Sequence, residues 1–232
     1  MSPILELQNL GISIAGRKIL AEASLSLEIG ESIAIIGSNG QGKTSLLKTL
    51  VGILTPTSGE IKLEGKKLKE YSASDRAKLI GYAPQILTIP PTIKVSEYLA
   101  FCRYPLSTTE QDKIYILEIL DLVGAREFVN RRVSSLSGGE LQRINLASAL
   151  VCKPKIVLLD EPTMALDIEG QESFRRYLKR LKLESISVLL VTHDLALIRE
   201  GADRVVHIAD SKLSLTTIST EADNSISKSD WS

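Results

Sequence analysis

Residues 32–44 read SIAIIGSNGQGKT, and this stretch decides the fold that the sequence predicts. Its first part, Ser32 to Ile36, is almost continuously apolar, which is typical of a strand buried on both faces of a parallel sheet. The next residues follow the pattern of glycine, four residues, glycine, lysine and then serine or threonine. A helical pattern then runs from Lys43 to Leu50. This order of strand, glycine-rich loop and helix predicts an α/β core with a phosphate-binding loop.

The residue types of this loop suit a phosphate chain. Glycines let the backbone turn tightly and bring its N–H groups close to an anion, because no Cβ stands in the way. Lys43 supplies a mobile positive charge for β- and γ-phosphates, and the Thr44 hydroxyl can ligate Mg²⁺. A plain glycine-rich turn is the alternative, which the flanking strand and helix disfavour. The predicted nucleotide-binding residues here are Gly37, Ser38, Asn39, Gly40, Gln41, Gly42, Lys43, Thr44 and Ser45.

Outward from the loop, further apolar runs alternate with helical patterns. This alternation favours a mainly parallel sheet with crossover helices. Three short runs near the N-terminus predict an antiparallel β subdomain beside this core. The core strands are predicted over Ile156 to Asp160, Val188 to Thr192 and Arg204 to Ile208, the helices over Gly138 to Cys152 and Gly170 to Leu183, and the N-terminal strands over Ile4 to Leu7, Gly11 to Ile14 and Ser24 to Ile29.

The middle of the chain has a different pattern. From about Ile86 to Val133 no strong strand run is present, whereas Val95 to Arg103 and Glu110 to Val123 have helical spacing. We therefore expect a helical subdomain over about residues 86–150, inserted in one domain over residues 3–215. Residues 216–232 are polar and predict a frayed tail.

Composition excludes several classes of protein. The chain has 232 residues, of which 44% are hydrophobic and 24% charged, so it is not disordered throughout. Its 28 basic and 28 acidic residues cancel, so it is not built to coat nucleic acid. Two histidines and two cysteines argue against a cysteine- or histidine-rich metal site, and Cys102 and Cys152 are interpreted as packing residues. Without a signal peptide or a run of about 20 apolar residues, we expect a soluble intracellular protein that reaches a membrane only through a partner.

Two acidic residues, Asp160 and Glu161, end one of the predicted strands. Ligands of parallel sheets bind at the carboxyl ends of strands, so we expect both acids beside the phosphates. Asp160 is predicted to bind Mg²⁺. Because successive strand residues face opposite ways, Glu161 is expected to point elsewhere and to polarise the water that attacks the γ-phosphorus. The alternative is that both acids cap a helix that starts near Pro162.

Two polar residues follow other predicted strands. His193 can donate a hydrogen bond to a γ-phosphate or hold the attacking water, although a lone histidine is more often structural. Gln85 follows a short strand predicted over Leu79 to Ala83, and its amide can touch Mg²⁺ or the water. The functional interpretation of His193 and Gln85 rests on the presence of the phosphate loop and the acidic strand end in the same sequence.

Residues 136–140, LSGGE, precede a long helix. The Ser137 hydroxyl and the N–H groups of Gly138 and Gly139 predict a second anion site at the helix N-terminus. The chain already has a loop for its own phosphates. The second anion site is therefore expected to contact the phosphates bound to a second chain. The apolar stripe of this helix is predicted to contain Leu141, Ile144, Ser148 and Val151, widened by Leu146, Ala147 and Leu150.

Over about residues 3–215 the sequence resembles the nucleotide-binding subunits of ATP-binding cassette (ABC) transporters. The motifs occur in the family's order: the Walker A loop at Gly37 to Thr44, the Q-loop Gln85, the signature at Leu136 to Glu140, the Walker B strand with catalytic Glu161, the D-loop Ala165 to Asp167, and the switch His193. Two positions depart from the pattern. Residues 13–17 lack the aromatic residue that stacks on adenine, which leaves Ile14 for the base, and Met164 replaces a common serine.

The resemblance implies an ATPase that works as a head-to-tail dimer, which we expect to be a homodimer. ATP on Lys43 of one copy is covered by Ser137 and Gly139 of the other, with Gly138 and Asp167 also in the nucleotide site. Glu161, His193 and Gln85 take part in catalysis, and Mg²⁺ is held by Thr44, Gln85 and Asp160. The implied partners are transmembrane permease subunits and a solute-binding protein, with no nucleic acid, and the implied location is the cytoplasmic face of the membrane.

The cargo signal lies in residues 102–105, Cys-Arg-Tyr-Pro. This segment is similar to the Gly-Arg-Tyr-Pro of importers for ferric siderophores, haem and cobalamin, so import of such a cargo is expected; a generic helix end is the alternative. Other cargoes, a soluble family member in DNA repair or translation, and a P-loop kinase remain as competing functions. The single Walker A and the short interval over residues 85–137 disfavour the soluble member, and LSGGE disfavours the kinase.

Overall fold

The computed structural model describes residues 3–106 and 110–216, and its chain divides into two compact units. The first unit is formed by the stretches up to Ser72 and from Ser187, and the second by Ala73–Ile186. The predicted helical subdomain, about residues 86–150, falls within the second unit.

The first unit contains a four-stranded antiparallel sheet in the order β2-β1-β4-β5. Its strands are β1 (Leu5–Ile14), β2 (Arg17–Leu27), β4 (Ser58–Leu63) and β5 (Lys66–Lys67). The prediction of two separate strands before Ala15 is wrong, because β1 continues through an irregularity between Leu7 and Leu10. At this point Asn9 has a φ of 48°, so a local bulge breaks the pattern without ending the strand.

A second group of strands in the first unit is mainly parallel. In it β3 (Ser32–Ile36) pairs in parallel with β8 (Ser187–Val191) and β9 (Arg204–Ala209), and β10 (Lys212–Thr216) adds to β9 in the antiparallel sense. Helices α1 (Lys43–Leu50) and α7 (Leu195–Gly201) complete the unit. All five residues of β3 are buried, as predicted for a strand covered on both faces.

The second unit carries a parallel pair of strands and most of the helices. Strands β6 (Ile80–Ala83) and β7 (Ile156–Asp160) pair in register from Ile80 with Ile156 to Ala83 with Leu159. The predicted helices are present within one or two residues of their expected ends. They are α3 (Val95–Cys102), α4 (Glu110–Leu122), α5 (Gly138–Leu150) and α6 (Ile168–Leu183), to which the structure adds α2 (Ala73–Leu79).

Helix α5 departs from its predicted apolar stripe. Leu141 and Ser148 are only half-buried, whereas Gln142 and Asn145 are buried together with the apolar residues. The prediction was wrong because hydrophobic spacing assigns the buried face to apolar side chains, and here two amides occupy it. Their hydrogen bonds, described below, satisfy most of the polar groups that this burial removes from water.

Several elements left little trace in the sequence. All seven residues of α2 stay at least partly exposed, so this helix lacks an apolar stripe. Strands β4, β5 and β10 are short or start exposed, and α7 is a helix of two turns. The predicted polar tail began at Thr216, which instead ends β10; residues 217–232 lie outside the described residues.

Arg103 of the Cys-Arg-Tyr-Pro segment is a buried structural residue. Its guanidinium donates to the carbonyl of Val151 and forms an ion pair with Asp112, and it lies 5.3 Å from the centre of the Tyr115 ring. The interior location of the Cys152 thiol agrees with a packing role, and burial raises the pKa of Cys102 and of Cys152. These thiols are therefore poor nucleophiles.

Candidate functional site

In the first unit, a glycine-rich loop connects β3 to α1, as the sequence predicted. Gly42, directly before α1, has a φ of 99°, which favours glycine. A Cβ at Gly42 would also stand 2.2 Å from Cγ2 of Ile19, closer than any side chain tolerates. The first turn of α1 begins with Lys43, Thr44 and Ser45, so the positive end of the helix dipole adds to a lysine charge.

The Lys43 side chain is folded back into this loop. It is 7% exposed, and its Nζ donates to the carbonyls of Gly37 and, over 3.1 Å, of Ser38. A lysine charge beside the N-terminus of α1 attracts an anion to this loop. The loop therefore fits the phosphates of a nucleotide.

His193 lies in the same unit, in the loop that follows β8. Thr192 Oγ1 accepts from the N–H of Asp194 over 3.1 Å, and Asp194 caps α7 by accepting from Ala196 and Leu197. Burial, and next the charge of Lys43, lower the pKa of His193. The neutral imidazole that this favours offers one donor and one acceptor. The charge of Lys43 thus acts on His193 within the first unit.

In the second unit, Asp160 ends β7 and is 1% exposed. The neighbouring strand β6 carries Tyr82, whose pKa is raised by burial and next by the Asp160 charge. Sequence reasoning missed Tyr82 as a neighbour of the predicted Mg²⁺ ligand. No sequence signal identifies Tyr82, because its position near Asp160 depends on the register of β6 against β7.

Glu161 lies beyond the end of β7 and has a φ of 49°. The argument from alternation along a strand is therefore wrong for this residue, because a left-handed backbone at Glu161 sets its direction. Left-handed backbone at a residue with a side chain is strained, and such strain persists at sites where the surroundings enforce it. The sequence gives no sign of it.

The interpretation that Asp160 and Glu161 cap a helix near Pro162 is also wrong. Turns follow Glu161, and α6 begins only at Ile168. Its N-cap is Asp167, which accepts from the N–H of Gly170 over 2.8 Å. The two acids at the end of β7 therefore have no helix to cap, which strengthens the functional interpretation.

Gln85 follows β6 and is exposed. Its Nε2 lies 3.8 Å from Sδ of Met164, in the turn between Glu161 and α6. The structure thus brings the predicted glutamine next to the segment that carries Glu161, within one unit.

Ser137 is the N-cap of α5 and forms a reciprocal pair with Glu140. The Ser137 hydroxyl accepts from the Glu140 N–H over 3.3 Å, and Glu140 Oε2 accepts from the Ser137 N–H over 2.7 Å. Arg131 Nη1 donates to the other Glu140 oxygen over 2.9 Å. The Ser137 N–H and then Arg131 lower the pKa of Glu140. The carboxylate thus fixes the loop that carries the signature serine.

The signature helix contacts the segment after Glu161. A Cβ at Gly139 would stand 2.9 Å from the carbonyl of Ala165, so glycine is needed for this close approach. Arg143 donates to the carbonyl of Gly124 over 2.9 Å and to Asp167 Oδ1 over 3.1 Å. Gly138 is exposed beside them. Sequence reasoning placed these motifs in order but did not predict that they contact one another.

The predicted site residues therefore form two groups, one in each unit. The first unit holds residues 37–45 and His193, and it also holds Ile14, which is partly exposed on β1. The second unit holds Gln85, residues 137–139, Asp160, Glu161 and Asp167.

Comparison with known proteins identifies the family. The family model described as "ABC transporter" matches residues 20–164. The hemin import ATP-binding protein HmuV of Gloeobacter violaceus is 34% identical over 90% of this chain and 80% of its own length. The zinc import ATP-binding protein ZnuC of Pseudomonas fluorescens is 35% identical over 88% of this chain and 72% of its own length.

A solved structure supports the same assignment. The dimeric structure of a bacterial ABC transporter cassette superimposes with a TM-score of 0.83 at 26% identity, over 94% of this chain and all of that one. The fold is accordingly that of an ABC ATPase cassette, an α/β fold of the P-loop class with mixed sheets, as the sequence predicted. The chain belongs to the ATP-binding subunits of the ABC transporter family.

Proposed function

We propose that this chain hydrolyses ATP between two copies of itself and thereby powers import of an iron chelate, haem or cobalamin through a membrane permease. The observation that carries the proposal is that one chain has two separate features suited to an anion. One is the loop that encloses Lys43, and the other is the capped N-terminus of α5 at Ser137. A nucleotide bound between two copies would contact the Lys43 loop of one copy and the α5 N-terminus of the other.

The phosphate loop would hold the nucleotide. Residues 37–45 would direct backbone N–H groups and the Lys43 ammonium at the β- and γ-phosphates. The oxygen atoms of Thr44, Asp160 and Gln85 are the hard ligands that Mg²⁺ prefers. Magnesium-bound ATP supplies the phosphoryl group that is transferred to water.

Glu161 would act on that water. A carboxylate that lies just past the buried end of β7, in a strained backbone, can orient and polarise a nucleophile as a general base. Gln85 and His193 would hold hydrogen bonds around the same water and phosphate.

The second copy would complete the site. Ser137, Gly138 and Gly139 at the start of α5 would cover the triphosphate bound by the partner, and Asp167 would line the same interface. The dimeric state of the bacterial cassette similar to this chain supports pairing of two copies. Because contacts to the γ-phosphate exist only in the closed pair, ATP would favour closure and ADP would not.

A permease would bind the second unit. Several large apolar side chains are exposed among the described residues of this unit, including Ile86 directly after Gln85, and Phe101 and Tyr104 around the end of α3. We propose that these exposed groups contribute to the surface that contacts the permease. Within residues 3–106 and 110–216, none of the helices combines the length and apolar character that crossing a bilayer requires. We infer a peripheral position at the cytoplasmic face, with a solute-binding protein as a further partner of the permease.

The cargo assignment rests on the Cys-Arg-Tyr-Pro segment and on the similarity to the hemin import protein. Since Arg103 is buried by Asp112 and Val151, this segment would act by shaping the permease surface, with no contact to cargo. Similarity to the zinc import protein makes a different metal cargo the second candidate.

The Glu161→Gln variant tests the ATPase proposal. We expect it to bind ATP with wild-type affinity, to hydrolyse about 10²–10⁴-fold more slowly, and to accumulate as an ATP-bound dimer in light scattering. Hydrolysis by Glu161→Gln at the wild-type rate would exclude Glu161 as the general base. Co-purification with a multi-span membrane protein, or instead with a ribosome or nucleic acid, decides between transport and a soluble role.

A further inference from the structure

We infer that two buried amide side chains on α5, Gln142 and Asn145, are positioning residues that couple the backbone before Gln85 to the backbone after Glu161. The inference rests on the proposed function, since it explains how the glutamine and the general base keep their relative positions.

The two amides form a continuous chain of hydrogen bonds. Asn145 is fully buried, and its Nδ2 donates to the carbonyl of Pro84 over 2.7 Å and to Oε1 of Gln142 over 3.3 Å. Gln142 is 8% exposed, and its Nε2 donates to the carbonyl of Pro162 over 3.0 Å. Pro84 directly precedes Gln85, and Pro162 directly follows Glu161.

The two prolines make these contacts effective restraints. The carbonyl of Pro84 shares a rigid peptide plane with the nitrogen of Gln85. Pro162 has a fixed φ, so a hydrogen bond at its carbonyl restrains the chain immediately after Glu161. Glu161 itself has the left-handed φ of 49°, which its surroundings must maintain.

The Asn145 amide has one unfavourable polar atom, its oxygen. Among the described residues its Oδ1 is buried without a hydrogen-bond partner, and such an acceptor is unfavourable. Turning the amide over would place Oδ1 against two oxygen acceptors, so the network fixes its orientation. Asn145→Leu would remove this oxygen but would also leave the Pro84 carbonyl and Gln142 Oε1 without the donor that they share. The two donated hydrogen bonds are therefore what the amide adds.

The same helix carries Ser137 at its start, less than three turns from Asn145. A ligand that engages Ser137 would therefore act on a rigid element that holds both loops. The amide chain gives the signature a direct physical connection to Glu161 within one copy.

The test compares Gln142→Met and Asn145→Leu, which keep approximate side-chain size and remove the donors. Tyr177→Phe is the matched control, because it removes a buried hydroxyl that donates to the Leu146 carbonyl on the same helix over 3.4 Å. The first measurement is amide hydrogen exchange of the nucleotide-free protein. Asn145→Leu should speed exchange at residues 85–86 and 163–166, Gln142→Met should do so at 163–166, and the control should do neither.

The second measurement is steady-state hydrolysis. We expect kcat to fall about 2- to 30-fold in each variant, with KM for ATP unchanged. Because the amides act in series, the double variant should be no slower than the slower single variant. A protein with only a general packing defect would lose thermal stability without this split between kcat and KM.

Two results would overturn the inference. One is that Gln142→Met and Asn145→Leu have the exchange rates or the kcat of Tyr177→Phe. The other is that the decreases in kcat multiply in the double variant. If Asn145→Leu does not fold, Gln142→Met alone decides by the same criteria. Should the wild type and the control hydrolyse no ATP, the proposed function fails, whereas hydrogen exchange still judges the amide chain.

Discussion

Arg143 and Gly170 share one oxygen of Asp167: Arg143 Nη2 donates to Oδ1 over 3.1 Å, and the Gly170 N–H donates to the same atom over 2.8 Å. The Gly170 N–H and next the Arg143 guanidinium lower the pKa of Asp167. A helix cap and an ion pair are therefore combined, which joins α5 to the start of α6.

Replacement of Asp167 should show which of these contacts matters more. Asp167→Ala loses both and should lower the midpoint of urea unfolding, whereas Asp167→Asn retains a side chain that caps helices well and should lose less. Both midpoints are measured by circular dichroism. An Asn variant as unstable as the Ala variant would show that the ion pair to Arg143 dominates.

Lys43→Ala should weaken ATP binding about 10- to 150-fold, since hydrogen bonds to charged groups contribute roughly 1.5–3 kcal/mol. Isothermal titration with ATP measures the change. Lys48→Ala, in the last turn of the same helix, is the control and should bind normally. Unchanged affinity in Lys43→Ala would contradict the assignment of the loop.

Ser137→Arg should leave ATP binding to the monomer intact and abolish ATP-driven dimerisation, because the bulky side chain would fill the space meant for the partner's phosphates. The variant is best made together with Glu161→Gln and assayed by light scattering. It also loses the α5 cap, which costs about 1 kcal/mol.

Ser137→Ala separates these effects, since it loses the same cap without added bulk. This control should still dimerise at higher ATP concentrations. Dimerisation of the Arg variant would exclude Ser137 from the interface.

His193 should make stability depend on pH in a defined direction. Its pKa is lowered in the folded chain, so below the unfolded value of about 6.5 the unfolded chain binds a proton more readily. The contribution of neutral His193 to the free energy of unfolding is complete above about pH 6.5. It is lost as the pH falls through the lower pKa of the folded state.

Urea midpoints at about pH 7.5 and about pH 5.5 test this. The decrease toward acid pH should be smaller in His193→Gln than in the wild type. His207→Gln, which removes the other histidine, is the control. Adding His193→Gln to this variant should still reduce the decrease in the urea midpoint. Equal decreases in His193→Gln and the wild type would mean that His193 titrates alike in both states.

Local patterns in the sequence were sufficient for the core elements. The run at Ser32–Ile36, the loop glycines and the helix from Lys43 all act over a few residues, and the structure contains each of them at the expected bounds. The same holds for β7 and for Ser137 at the start of α5, because a buried strand and a capped helix are encoded by adjacent side chains.

What only the tertiary structure decided is how distant segments restrain one another. No local rule places Asn145 against Pro84, Gln142 against Pro162 or Arg143 against Asp167, because each hydrogen bond joins residues that are far apart in sequence. The left-handed backbone of Glu161 and the buried amides of α5 are unfavourable when considered alone. They are stable only because surrounding segments supply the partners, and this is information that hydrophobic spacing does not contain.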